Sequence, residues 1–357
     1  MKNPVAFDIL APLPAGTTLL EASAGTGKTY TIAALATRYI AEGLTTIDQM
    51  LMITFGRSAT RELRERVRES LTTARDALRS GHTKDDDVLT HLNALPPAER
   101  EAAEQRLARA VADFDSGTIV TTHAFCLHTL SGLGISADTD PGEVSVESIA
   151  DLIDEVVDDF YVRKYGQGAA VDERIPYPEA RSLAREAVGD PQAALNAGPV
   201  TPGSIQATRV AFAEAVRAEV ARRRRVRRLL TYDDLVLRLR DALTDPATGD
   251  LACRRLREKY QVVLVDEFQD TDPAQWTILQ RAFHGHRTLI LIGDPKQAIY
   301  AFRGADVYSY LDAAQQADHH ATLETNWRSD ASVVQGVDAL MGGMQLGDKD
   351  IVVRPVS

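Results

Sequence analysis

Six short apolar runs punctuate this chain: "TTLLEA" (17–22), "MLMITF" (50–55), "TIVTTH" (118–123), "VVLVDE" (262–267), "TLILIGD" (288–294) and "ATLETN" (321–326). Each reads as a strand buried on both faces. The stretches that follow, such as 28–41, 58–79 and 273–283, carry a helical period. Strand-then-helix alternation of this kind specifies an α/β fold, with a parallel sheet wrapped by helices. The 357 residues suffice for one large or two ordinary domains.

Between about 131 and 225 the strand signal disappears. The segment opens acidic ("DLIDEVVDDF") and turns rich in proline, glycine and alanine ("PYPEARSLAREAVGDPQAALNAGPVTPGS"). It reads as a mostly helical insertion, 131–225, between two parts of one sheet domain, 1–130 and 226–357. Residues 81–116 are helical and polar and read as a smaller excursion. The closing "DIVVRPVS" is strand-like, and the chain is expected to stop at a domain boundary.

Composition narrows the setting. A content of 44% hydrophobic and 25% charged residues is that of a globular protein. Two cysteines, Cys126 and Cys253, form neither a disulfide framework nor a metal-spaced cluster, so a reducing, cytoplasmic compartment is expected. "MKNPVAFDIL" lacks the basic and apolar regions of a secretory signal. No apolar run reaches the ~18 residues of a spanning helix, so no membrane is expected. The net charge of −11 excludes a chain coated in positive charge, though not nucleic-acid binding through a local patch. Two basic stretches, "GRSATRELRERVRESL" (56–71) and "VARRRRVRRLL" (220–230), fit either solvated helix faces or such a patch.

"ASAGTGKT" (22–29) follows the first long strand and opens a helix. It fits the phosphate-binding loop pattern, with Ala22 in place of the first glycine. Ala22, Ser23, Ala24, Gly25, Thr26 and Gly27 would cradle phosphate oxygens with backbone N–H groups at a helix N-terminus. Lys28 would reach the β- and γ-phosphates, and Thr29 would offer its hydroxyl to Mg²⁺.

"VVLVDEFQDT" (262–271) places two acids directly after a strand. Alone, that is also how helices are capped. Beside a phosphate loop, Asp266 becomes the metal-side candidate and Glu267 the candidate for polarising attacking water. In "LILIGDPKQAIYAFRG" (289–304), Asp294 and Gln297 fall at a third strand end, with Gln297 suited to a γ-phosphate. Tyr300 and Phe302 lie just beyond and suit base stacking, with an ordinary core as the alternative. Arg328, in "ETNWRS", follows the last strand and suits transition-state charge or an acid partner.

Taken together these segments resemble the superfamily 1 DNA helicases of the UvrD/Rep type, and within them the RecB-type motors. "EASAGTGKTYTIAAL" is similar to their motif I, "ITFGRSATRELRERV" to Ia and "TTHAFC" to Ib. "VDEFQDTDPAQ" is similar to motif II, "LIGDPKQAIYAFRGAD" to III and "TNWRS" to IV, all in family order. The resemblance implies a RecA-like nucleotidase fold and ATP with Mg²⁺ held by Lys28, Thr29, Asp266 and Glu267. It places Gln297 and Arg328 at the γ-phosphate. It makes Thr54, Phe55, Arg57, Thr122, His123, Tyr300, Phe302 and Arg303 candidates for contacting single-stranded DNA.

The same resemblance implies a role in double-strand break repair, on duplex-end DNA with RecC-like and RecD-like partners. Motifs V and VI, a second RecA-like domain and a nuclease domain are not found in the sequence. This chain alone is therefore expected to hydrolyse ATP poorly and not to unwind DNA. A stand-alone ATP- and DNA-binding module, or a fragment of another UvrD-like or AddA-like helicase, remains the alternative.

Overall fold

The computed structural model describes residues 4–81, 86–134, 144–146, 148–165, 175–189, 194, 195, 198, 203–299 and 305–356. Its contacts group into two compact units, 1–137 with 237–357, and 138–236.

In the first unit the strands are β1 (Val5–Ala6), β2 (Thr17–Ala22), β3 (Met50–Thr54) and β4 (Thr118–Thr121). The helices among them are α1 (Lys28–Ala41), α2 (Arg57–Ser80), α3 (Asp87–Asn93), α4 (Pro97–Ala112) and α5 (Thr122–Leu133). The second unit holds β5 (Val144–Ser145), α6 (Ala150–Tyr165), α7 (Tyr177–Gly189), α8 (Ile205–Arg227) and β6 (Leu229–Leu230). Helix α9 (Tyr232–Thr244) runs across the division. The first unit then resumes with α10 (Gly249–Lys259), β7 (Val262–Val265), α11 (Pro273–Phe283), β8 (Thr288–Gly293), α12 (Val307–Gln316), β9 (His319–Leu323) and α13 (Ala331–Met341).

The six apolar runs are the six long strands of one parallel sheet, ordered β1-β9-β2-β8-β7-β3-β4. Burial on both faces explains why these strands read as continuous apolar runs rather than alternating ones: β2, β3 and β7 are buried at every position. One face packs Leu20, Met52, Leu264 and Ile292 against α1, α2, α3 and α4. Residues 87–112 are thus part of this core, not an excursion. Val88, Leu89, Leu92, Ala103 and Leu107 are buried in it, a sparse apolar stripe on an otherwise polar stretch. In the turn after β7, buried Phe268 lies 5.6 Å from Trp276 and 6.0 Å from Tyr310.

Strand β1 had no sequence signal. Two exposed residues cannot show a pattern, and they pair only because the 5–6 segment lies along β9. Buried Arg38 of α1 secures the chain just after it, donating to the carbonyls of Ile9 and Ala11.

The second unit has a small core of its own, with Val156, Val157, Ala180, Ala184, Val216 and Val220 from α6, α7 and α8. Four arginines of the α8 run, Arg222, Arg223, Arg224 and Arg227, pair with acids of the same unit. Arg223 bonds Glu155, Asp159 and Glu219; Arg222 bonds Glu219; Arg227 bonds Glu155. Glu155 and Asp159 of the acidic opening are thus partners of Arg223 and Arg227 of the basic end.

Candidate functional site

The register brings four strand ends into line at the carboxyl edge of the sheet. Glu21 of β2 is level with Gly293 of β8, Ala22 with Leu323 of β9, and Val265 of β7 with Leu291. The residues after each strand therefore emerge on one rim, where ligands of open parallel sheets bind.

After β2 the chain turns through Gly25 (φ 81°) and Gly27 (φ 86°), left-handed values that only glycine adopts without cost. The Thr26 hydroxyl closes the turn on the Ser23 carbonyl at 2.8 Å. Gly27 is the N-cap of α1 and supplies no side-chain cap, so the first N–H groups of that helix are left to another acceptor. Gly25 is required for space as well. A Cβ there would come within 2.7 Å of Asn326 Oδ1 and 2.8 Å of Arg328 Cβ. The 324–329 segment is fastened to the loop by Trp327 N–H donating to the Gly25 carbonyl (2.8 Å) and Asn326 Nδ2 donating to that of Ala24 (3.2 Å).

Asp266 and Glu267 follow β7, one strand beyond β8 from the loop. Glu267 has φ 53°, an uncommon left-handed backbone for a residue with a side chain. Its carboxylate accepts from Lys28 Nζ through both oxygens, at 2.9 and 2.8 Å. Asp266 accepts from the Glu267 N–H at 2.9 Å. Burial, and then the neighbouring Glu267, push the Asp266 carboxyl up to about 6; Asp270 is pushed up to about 6 by the same two causes. A buried acid that resists ionisation is relieved by a cation.

A cleft of about 850 Å³ opens over the loop, lined by Gly25, Lys28, Thr29, Glu267, Trp327 and Arg328 on that side. The residues fit a nucleotide with a divalent cation: uncapped helix N–H groups and a lysine suit phosphate oxygens, and a threonine hydroxyl and carboxylates are hard oxygen ligands. Among the described residues no set of three or more His, Cys, Asp or Glu is arranged to hold a metal by itself. A cation here would share its coordination with phosphate oxygens, as Mg²⁺ commonly does.

The structure gathers Ala22, Ser23, Ala24, Gly25, Thr26, Gly27, Lys28, Thr29, Asp266, Glu267 and Arg328 along this rim. Gln297 lies in a short turn after β8, its Nε2 donating to Asp294 Oδ2 at 2.7 Å. Of the residues expected at DNA, Phe55 and Arg57 follow β3, and Thr122 and His123 open α5. Thr54 is 1% exposed, and its hydroxyl is bonded to that of Thr60 at 2.6 Å. Its side chain faces inward and ties the end of β3 to α2. Tyr300, Phe302 and Arg303 lie outside the described residues.

Sequence reasoning missed Trp327, which is 78% exposed beside the loop. The signal was present, an aromatic between Asn326 and Arg328, but nothing local says that β9 lies next to β2. It also missed Gln269, Lys296 and Glu21, polar residues that lie inside the rim rather than on it.

A parallel sheet with a glycine-rich turn at a helix N-terminus and paired acids on the next strand but one is the frame of an α/β protein of the nucleotide-binding kind. The family profile for the UvrD/REP helicase N-terminal domain matches residues 3–318, and the chain belongs to that family. The family implies use of a nucleotide and a divalent metal in general terms. The chain is 50% identical over 352 residues to the RecBCD enzyme subunit RecB of Mycolicibacterium smegmatis, covering 98% of this chain and 32% of that protein. It is 47% identical to that of Mycobacterium tuberculosis (strain CDC 1551 / Oshkosh), with 98% and 32% covered. Against that of Escherichia coli (strain K12) it is 29% identical, with 91% and 38% covered. The chain thus spans about a third of the length of the curated relatives it matches. No described helix is long and apolar enough to cross a membrane.

Proposed function

We propose that this chain is the ATP-binding motor part of a RecB-like helicase, coupling ATP hydrolysis to movement along single-stranded DNA in the recombinational repair of double-strand breaks. The observation that carries the reading is the bond between Lys28 and Glu267 across the end of strand β8. It joins the phosphate-loop lysine to the acid best placed to act on water.

In this reading the loop N–H groups and Lys28 bind the phosphates, and Thr29 and Asp266 would hold Mg²⁺. The cation would supply charge neutralisation at the phosphates. Lys28 leaves Glu267 for the incoming phosphate, which frees the carboxylate to accept hydrogen bonds from the attacking water. Gln297 and Arg328 would meet the γ-phosphate, and Trp327 offers an exposed face to the base. Phe55, Arg57, Thr122 and His123 form the described part of the DNA-facing rim. The sheet unit serves as the RecA-like domain and 138–236 as its helical insertion. RecC-like and RecD-like partners and duplex-end DNA belong to the same proposal.

The test is ATP hydrolysis by the wild type and by Lys28→Ala, each with and without single-stranded DNA. Hydrolysis stimulated by DNA and abolished by Lys28→Ala is expected. A rate indifferent to Lys28→Ala refutes the assignment.

A further inference from the structure

We propose that Gln269 is the positioning residue that orients the Glu267 carboxylate and ties it to the strand end at 293–297. The inference rests on the reading of Glu267 as the residue that acts on water.

Gln269 is 2% exposed and uses both ends of its amide. Its Nε2 donates to Glu267 Oε2 at 2.7 Å, and its Oε1 accepts from the Asp294 N–H at 2.9 Å. The two partners fix the amide's orientation, since a carboxylate only accepts and an N–H only donates. Asp294 is itself held at several points. Its carboxylate accepts from Gln297 Nε2 (2.7 Å), from the Lys296 N–H (3.1 Å) and from Lys296 Nζ (2.8 Å). Lys296 Nζ also donates to Glu21 Oε1 at 2.8 Å, and Glu21 immediately precedes the phosphate loop. The chain of bonds therefore closes: from the loop through Lys28, Glu267, Gln269, Asp294, Lys296 and Glu21 back to the loop.

A second, independent feature marks the seat of Gln269. Gly293, the last residue of the strand between the loop and the acids, needs no unusual backbone. A Cβ there would nevertheless come within 2.6 Å of Gln269 Oε1 and 3.0 Å of its backbone nitrogen. Gly293 is small because the Gln269 amide crosses over it to reach Asp294.

The seat matters most when phosphate is bound. In the structure Lys28 holds both oxygens of Glu267. Once Lys28 turns to phosphate, Gln269 is the remaining side chain bonded to that carboxylate among the described residues. An acid that must aim at one water then depends on it for direction. A shift at Gln297 would reach Glu267 along the same path, through Asp294 and Gln269.

The test uses the full-length protein with oligothymidylate and compares Gln269→Met, Gly293→Ala, Glu267→Gln and the double substitution at 267 and 269. Methionine keeps the length of glutamine without its donor or acceptor. Loss of a hydrogen bond to a charged group should lower kcat by about tenfold to a hundredfold. KM for ATP and the affinity for a fluorescent ATP analogue should stay within about twofold, which also shows that the fold is intact. Gly293→Ala should lower kcat in the same way, and Gln269→Met should cost nothing further once Glu267 is glutamine. The inference is overturned if Gln269→Met leaves kcat unchanged while Glu267→Gln abolishes it, if the two losses are additive, or if kcat and nucleotide affinity fall together. An unchanged kcat in Glu267→Gln overturns the reading of Glu267 itself, and is distinguished by that variant alone.

Discussion

Lys28 and Glu267 are joined through both carboxylate oxygens, at 2.9 and 2.8 Å, across the end of strand β8. The lysine that would bind phosphate is thus engaged by the acid that would act on water. In the proposed function each would release the other before turnover. Glu267→Gln removes the competitor and one negative charge, so ATP should bind about three- to tenfold more tightly. Turnover should fall by about a hundredfold or more. Titration with a fluorescent nucleotide alongside steady-state hydrolysis checks both, and weaker binding in Glu267→Gln would count against the competition.

Trp327 presents its indole to solvent beside the loop, 3.6 Å from where a Cβ on Gly27 would be. Stacking of a base on an aromatic contributes ~1–3 kcal/mol. Trp327→Ala should weaken ATP by about five- to a hundredfold and leave inorganic tripolyphosphate unaffected. Calorimetry with the two ligands separates them; equal losses for both would place Trp327 with the loop's architecture instead of the base.

Asp266 gives a pH dependence of defined sign. Its carboxyl is raised from 3.8 to about 6, chiefly by burial and then by Glu267. Its ionised form is therefore disfavoured in the folded, metal-free protein. That penalty is absent below the ordinary value, grows as pH rises toward about 6 and is complete above it. Asp266→Asn should accordingly raise the melting temperature in EDTA at pH 7.5, by a few degrees, and leave it unchanged near pH 4. A gain that is the same at both values would disprove the burial argument.

Arg222, Arg223 and Arg227 of α8 are held by acids of their own unit, and Arg223 alone bonds three. Replacing Arg222 and Arg227 with alanine should therefore leave the salt dependence of DNA binding unaltered. Each true phosphate contact would instead remove ~0.9 from the log–log slope. A reduced slope in the double variant would return this helix to the DNA-facing surface.

Gly25 is strained for any other residue, at φ 81° and with Asn326 and Arg328 against it. Gly25→Ala should destabilise the folded loop by on the order of 1–3 kcal/mol and abolish nucleotide binding. Thermal melts with and without ATP check it, and preserved binding would mean that the 324–329 segment can move aside.

What could be read from the sequence was local. The six strands, the phosphate loop and the acids after β7 each announce themselves over fewer than ten residues, because double-faced burial and left-handed turns select particular residue types in short windows. Segment 87–112 was harder, since three buried apolar residues, Ala103, Leu107 and Ala110, spread along the polar helix α4 give a weak pattern until α1 and α2 are seen against it. The α8 arginines were ambiguous for a related reason. A charge run looks the same whether its partners are phosphates or the carboxylates of Glu155 and Asp159, more than sixty residues earlier in the chain.

The sequence by itself determined the class of fold and the glycine-rich turn between β2 and α1. Strand order was decided only by tertiary structure, and with it the meeting of residues far apart in the chain. Parallel pairing joins segments hundreds of residues apart, and no short window records which strand will lie beside which. That is why Lys28 could be found from its neighbours in sequence, whereas Glu267, Gln269 and Trp327 acquired their relation to it only when β7, β8 and β9 were laid beside β2.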